Sequence, residues 1–129
     1  MKYKKVLLID DDEVDLYISK RIIRTADFAT EIVSATSSAG ALEYLKNLDN
    51  KPEELPEIIF LDMIMPVNDG YEFLEEFKKL GENIKRTSKV VILSNNLGLD
   101  PKTIEDINNN PAVYRILSKP LSLESIQYI

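Results

Sequence analysis

Carboxylates stand directly after two apolar stretches of the chain, and they are the residues best suited to do chemistry. Residues 6–9 run into Asp10 and Asp11, and a second apolar run ends at Asp62. An unpaired ionised carboxylate is costly to bury, so Asp62 at the end of a continuous apolar strand suggests a role beyond packing. Taken alone, Asp62 could equally cap its strand or begin a turn, since Asp is a common turn former.

Two further polar residues follow apolar runs, namely Ser94 and Lys119. Carboxylates that lie close together repel one another, and a divalent cation relieves that repulsion. Mg²⁺ fits best, because it takes one or two carboxylates, keeps several waters and accepts phosphate oxygens. Asp62 is then a possible metal ligand and a possible nucleophile that forms an aspartyl phosphate. Lys119 and Ser94 offer a cation and a hydroxyl to the phosphoryl oxygens.

Composition limits the other possibilities. The chain has 129 residues, 44% of them hydrophobic and 29% charged, which is typical of one globular domain. A net charge of −6 argues against binding to nucleic acid or to an anionic membrane. The chain has neither His nor Cys, which excludes thiol catalysis, disulfides and His-ligated metals. The first apolar run is too short for a signal peptide and no run could span a membrane, so we expect a cytoplasmic protein.

Apolar runs alternate with amphipathic stretches along the whole chain. The predicted strands are residues 6–9, 31–35, 57–62, 89–93 and 113–117. The predicted helices cover residues 14–24, 38–48, 70–80 and 101–107 and a last segment that begins near Ser122, with Gly81 ending the third and Asp100 capping the fourth. This alternation predicts an α/β fold, a doubly wound five-stranded parallel sheet with helices on both faces.

The predicted topology brings the polar residues together. The carboxyl ends of parallel strands lie at one edge of the sheet, where such folds bind their ligands. Asp10, Asp62, Ser94 and Lys119 each end or follow a different predicted strand, and Asp11 is next to Asp10 in the sequence. We therefore expect a single shallow cleft formed by Asp10, Asp11, Asp62, Ser94 and Lys119.

Four motifs in this order resemble those of a two-component response-regulator receiver domain. They are Leu-Leu-Ile-Asp-Asp at 7–11, Leu-Asp-Met-Ile-Met-Pro at 61–66 with Asp-Gly at 69–70, Ile-Leu-Ser at 92–94 and Ser-Lys-Pro at 118–120. The resemblance covers nearly the whole chain. It implies a flavodoxin-like sheet of order 2-1-3-4-5 and a cis peptide bond before Pro120. Because the chain stops soon after its fifth helix begins, we expect a stand-alone receiver domain over residues 1–129 with no output domain.

The resemblance assigns a Mg²⁺-dependent phosphorylation site. Asp62 resembles the phosphoacceptor, and Asp10 and Asp11 resemble the acidic pair that helps to hold the metal. The backbone carbonyl of Ile64 is expected to be a further metal ligand. The side chains of Ile64 and Asn96 are expected to flank the path of the water that hydrolyses the aspartyl phosphate.

The resemblance also assigns the residues that respond to phosphorylation. Lys119 matches the lysine that contacts the phosphoryl group, and Ser94 matches the switch hydroxyl. Receivers usually carry an aromatic residue where this chain has Ile116, and a small residue where it has Asn95. Tyr114 is expected on the same strand face as Ile116, but it is not the matching position. We therefore expect weaker coupling at Ile116 than in a typical receiver.

The function implied is phosphoryl acceptance from a histidine kinase or a phosphotransfer protein, followed by signalling through a surface for a downstream protein. Such a protein promotes only its own phosphorylation and dephosphorylation, and it can form a homodimer. The alternative is a binding-only pseudo-receiver, which would be expected to lack a key residue that this sequence retains. A dehalogenase-type phosphatase would need an Asp where Ile64 stands. A flavodoxin-like cofactor binder would need a Gly-rich phosphate loop in place of residues 10–12.

Overall fold

The computed structural model of the chain describes residues 2–63, 70–94 and 101–129. The five strands are β1 Tyr3–Ile9, β2 Ala29–Ala35, β3 Ile58–Asp62, β4 Lys89–Ser94 and β5 Val113–Ser118. The helices are α1 Glu13–Thr25, α2 Ser38–Asn47, α3 Gly70–Phe77, α4 Glu82–Thr87, α5 Pro101–Asn108 and α6 Leu123–Ile126, with a short 3₁₀ turn at Pro52–Glu54. The predicted alternation of strands and helices is confirmed. None of the helices described is long and apolar enough to cross a membrane.

The strands form one parallel sheet of order β2-β1-β3-β4-β5, as predicted. All five residues of β3 are buried, which explains why its sequence is a continuous apolar run. The register sets the position of the polar residues, because Ile9 lies beside Leu61 and Asp62 lies beside Leu93. The carboxyl ends of β1, β3 and β4 therefore stop at the same edge of the sheet.

Two apolar clusters cover the two faces of the sheet. On β1, Leu7 and Ile9 pack on one face and Leu8 on the other, as the two-residue period of a strand requires. The first cluster includes Phe73 of α3, and the second includes residues of α1 and α6. Burial of one such side chain contributes about 1.5–3 kcal/mol. These clusters pack against the strands whose carboxyl ends form the cleft.

Several predicted boundaries differ from the structure, and one helix was not predicted. Strands β1 and β2 begin earlier than expected, at Tyr3 and Ala29. Helix α3 ends at Phe77, and Gly81 does not end it but stands at the N-cap of α4. A Cβ at position 81 would lie 2.4 Å from Oδ1 of Asp49, so a larger residue there would require the Asp49 side chain to move. Helix α4 buries only Ile84, so it shows no apolar period in the sequence. The predicted cap Asp100 lies outside the described residues.

Strand β5 contains an irregularity near its start. Val113 pairs with Val90 while Arg115 pairs with Val91, which leaves Tyr114 as an extra residue. Val113 packs against the same apolar cluster as Ile116, although they are three positions apart in the sequence. Regular alternation, on which the expected placement of Tyr114 rests, therefore does not apply to this strand.

Candidate functional site

Three carboxylates meet at the carboxyl edge of the sheet. Asp62 is the last residue of β3 and is 7% exposed, and Asp10 follows β1 and is 5% exposed. Asp11 is exposed beside them. One carboxylate oxygen from each of these residues lies within 4.8 Å of the others. We call Asp10, Asp11 and Asp62 the acidic cluster.

The turn after β1 is fixed by its own aspartates. The Asp12 N–H donates to Oδ1 of Asp10 at 3.0 Å, which orients the buried carboxylate. Asp12 is the N-cap of α1, and its Oδ1 accepts from the N–H groups of Val14 at 2.8 Å and Asp15 at 3.3 Å. The same turn sets the entry of α1 and the direction of Asp10.

Lys119 supplies the positive charge of the site. Its Nζ lies 2.9 Å from Oδ2 of Asp10, 2.9 Å from Oδ2 of Asp15 and 3.2 Å from Oδ2 of Asp62. Burial alone would lower the pKa of the ammonium, but the hydrogen bonds to Asp15 and Asp10 and the charges of Asp10 and Asp62 hold that pKa above its usual value. Lys119 is therefore fully charged near neutral pH, and its three N–H groups have three carboxylate partners.

Asp15 is the site residue that the sequence analysis missed. It lies in the first turn of α1, where an acidic residue is readily explained by the helix dipole. Its side chain is 34% exposed, yet its carboxylate reaches the nearly buried Lys119. No sequence pattern singles it out, because only the position of Lys119 in space makes it a partner.

Ser94 and Lys119 are joined through the backbone. Ser94 is buried at the end of β4, in register with Ser118, and its carbonyl accepts the Lys119 N–H at 2.8 Å. The peptide bond before Pro120 is cis, as the resemblance implied. Ile116 is half-buried beside Ile92. The structure thus brings Ser94 and Lys119 to the same edge as the acidic cluster.

Three of the residues singled out from the sequence, Ile64, Asn95 and Asn96, lie outside the described residues. The chain on either side of the segment 64–69 is nevertheless joined by a hydrogen bond. The Gly70 N–H donates to the carbonyl of Met63 at 3.1 Å. This contact anchors the start of α3 directly behind Asp62.

The donor set of the acidic cluster fits a hard divalent cation. Its members present carboxylate oxygens, which Mg²⁺ prefers, and Asp11 is open to solvent, so the metal could keep its waters. Asp62 is a buried carboxylate that belongs to this cluster and lies 3.2 Å from the Lys119 ammonium, and a carboxylate so placed can act as a nucleophile. This arrangement can stabilise charge on a transferring phosphoryl group.

Comparison with known proteins identifies the family. The family model of the response regulator receiver domain matches residues 6–128. The chain belongs to this family. Receiver domains are signalling phosphoacceptors of two-component systems, and they generally bind Mg²⁺ at an acidic pocket. The acidic cluster lies where such a pocket is expected.

Similar proteins come from several bacteria. A two-component response regulator from Cytophaga hutchinsonii has a crystal structure that is 33% identical, with a TM-score of 0.88 over 99% of this chain and 94% of that one. The probable C4-dicarboxylate response regulator DctR of Bacillus subtilis is 32% identical over 95% of this receiver chain. The response regulator Rcp1 of Synechocystis is 28% identical over 69% of it. The chain spans 49% of DctR and 60% of Rcp1.

Proposed function

We propose that this receiver is a cytoplasmic response regulator that accepts a phosphoryl group onto Asp62 in a Mg²⁺-dependent reaction. The donor is a histidine kinase or a phosphotransfer protein, and the output is a surface for a downstream protein. One observation carries the proposal: a buried carboxylate at a strand end, with two further carboxylates within 4.8 Å and an ammonium 3.2 Å away. Only its own phosphorylation and dephosphorylation are promoted, so it turns over no other substrate.

The transfer can be written for the residues of the chain. An oxygen of Asp62 forms a bond to phosphorus while the bond between phosphorus and the donor nitrogen breaks, and that nitrogen keeps the electron pair. Mg²⁺, when bound by the acidic cluster, neutralises charge on the phosphoryl oxygens. Lys119 exchanges its contact with the Asp62 carboxylate for one with a phosphoryl oxygen. Ser94 donates its hydroxyl to another phosphoryl oxygen.

Helix α1 offers apolar surface next to the cleft. Val14 is 66% exposed and Tyr17 is 62% exposed, and the helix begins three residues after Asp10. Large exposed apolar side chains in a group favour contact with another protein. We assign this surface to the phosphodonor protein, because a donor must cover the cleft in order to reach Asp62. The same α1 surface could also support a homodimer.

The proposal is tested by intact-mass measurement after incubation with a small phosphodonor. With Mg²⁺ we expect the gain of one phosphoryl group, and in excess chelator no gain. Asp62→Asn is expected to abolish the gain, and Asp106→Asn, an exposed aspartate on α5, serves as the matched control and leaves it unchanged. Equal modification of the Asp62→Asn protein would refute the proposed acceptor. No modification of the parent protein under any condition would favour the binding-only alternative.

A further inference from the structure

Lys119 has one carboxylate partner outside the acidic cluster. Two of its partners, Asp10 and Asp62, belong to the cluster that would hold a divalent cation. The third, Asp15, does not belong to that set. A metal in the cluster would therefore compete with Lys119 for Asp10 and Asp62, but not for Asp15.

A metal ion and Lys119 compete for the same oxygens. Both carry positive charge, and the buried carboxylates of Asp10 and Asp62 can neutralise either one. An ammonium that loses its partners while it stays buried is costly, because breaking a buried ion pair leaves an uncompensated charge. The side chain of Lys119 is only 11% exposed, so water cannot easily replace those partners.

We propose that Asp15 is a positioning residue that retains Lys119 in the cleft when a divalent cation occupies the acidic cluster. The proposal rests on the proposed function, since it assumes that the cluster takes such a cation. Asp15 lowers the cost of metal binding, because the displaced ammonium keeps one full carboxylate partner. It also keeps the ammonium close to the phosphoryl group that Asp62 would receive.

The position and exposure of Asp15 allow it to retain Lys119. Its backbone N–H is held by the N-cap Asp12 at 3.3 Å, so the first turn of α1 fixes its position. Its side chain is one-third exposed, so its charge needs little compensation when Lys119 moves. A carboxylate in the first turn of a helix is further stabilised by the helix dipole.

The first test is a Mg²⁺ titration of the unphosphorylated protein. Asp15→Asn is expected to weaken Mg²⁺ binding roughly fivefold or more, as for a lost contact between coupled residues. Glu13→Gln removes the same charge from the same turn of α1 without touching the described contacts of Lys119, and we expect less than about a twofold change because exposed charges are screened. In a Lys119→Met background, the two substitutions should have equal effects.

The second test follows the Lys119 ammonium by NMR, and it needs no change at Lys119 itself. In the parent protein, the slowly exchanging, ion-paired ammonium signal should persist at saturating Mg²⁺. In Asp15→Asn it should disappear when Mg²⁺ is added, and in Asp15→Glu it should be at least partly retained. This signature separates positioning from a general loss of structure.

The outcomes distinguish this proposal from the proposed function. Equal Mg²⁺ affinities of Asp15→Asn and Glu13→Gln, or an ammonium signal that survives Mg²⁺ in Asp15→Asn, would overturn the role of Asp15. Both measurements use unphosphorylated protein, so a failure of Asp62 to accept a phosphoryl group would leave them unaffected. If the ammonium signal of Asp15→Asn is the same with and without Mg²⁺, the role of Asp15 is refuted even when Asp62 of that protein is phosphorylated.

Discussion

Gly70 lies so close to the phosphoacceptor strand that no side chain fits there. A Cβ at position 70 would lie 2.6 Å from Sδ of Met63, 2.7 Å from Cα of Met63 and 3.0 Å from the carbonyl oxygen of Asp62. The methionine sulfur can move aside, but the two backbone atoms can move only if the end of β3 moves. We therefore expect Gly70→Ala to displace the chain that carries Asp62.

The magnitude follows from two opposing terms. Alanine gains at most about 0.5–1 kcal/mol over glycine, through the lower entropy of the unfolded chain, because that range applies to the middle of a helix and Gly70 is the first residue of α3. Overpacking a close-packed interior costs about 1–3 kcal/mol, and contacts with backbone place this site in the upper part of that range. We expect Gly70→Ala to lower the free energy of unfolding by about 1–2 kcal/mol. For a domain of this size, that corresponds to a decrease in melting temperature of about 4–8 °C.

Chemical denaturation measures the stability change, and phosphorylation kinetics measure the displacement of Asp62. We expect the phosphorylation rate to fall about tenfold, since a small misplacement of a reacting group has a large effect on rate. Gly40→Ala in α2 is the matched control, because its Cβ would meet only the Ser37 hydroxyl, at 3.2 Å. Because the Ser37 hydroxyl that caps α2 must shift slightly, its effect on stability should stay below about 1 kcal/mol, with unchanged phosphorylation. If Gly70→Ala is as stable and as reactive as Gly40→Ala, the steric argument is refuted.

Three further predictions concern charge, a buried hydrogen bond and switching. Lys119→Met should lower the free energy of unfolding by about 3 kcal/mol in chelator, because the buried carboxylates lose their cation. Mg²⁺ should restore much of the lost stability, which denaturation with and without Mg²⁺ measures. Ser88→Ala should cost about 1–2 kcal/mol in a urea titration without changing phosphorylation, because the buried Ser88 hydroxyl donates to the Pro56 carbonyl at 2.5 Å. A phosphoryl mimic should shift the NMR signals of Ile116 less than those of Ser94, and equal shifts would contradict weak coupling.

The fold could be predicted from the sequence, because buried strands appear in it as continuous apolar runs. Strand β3 is buried on both faces, so its apolar run and its terminal Asp62 are visible without a structure. The same holds for Asp10 after β1. Once the strands are known, the parallel sheet brings their carboxyl ends together, and the acidic cluster with Lys119 follows from topology alone.

Other features depend on contacts that a sequence pattern does not carry. The extra residue Tyr114 in β5 is defined only by its pairing with β4. Helix α4 has six residues and one buried side chain, too few to show a period. Asp15 reads as an ordinary acidic residue in a first helical turn, and only the position of Lys119 in space reveals it as a partner.

The central claim is that Asp62, and no other carboxylate of the cleft, accepts the phosphoryl group. Borohydride reduces an acyl phosphate to an alcohol with release of phosphate, so it converts an aspartyl phosphate to homoserine. Peptide mass spectrometry of protein reduced after incubation with a phosphodonor and Mg²⁺ then identifies the modified position. We expect homoserine at position 62 alone and none in excess chelator. Homoserine at position 10, 11 or 15 instead of 62 would contradict it.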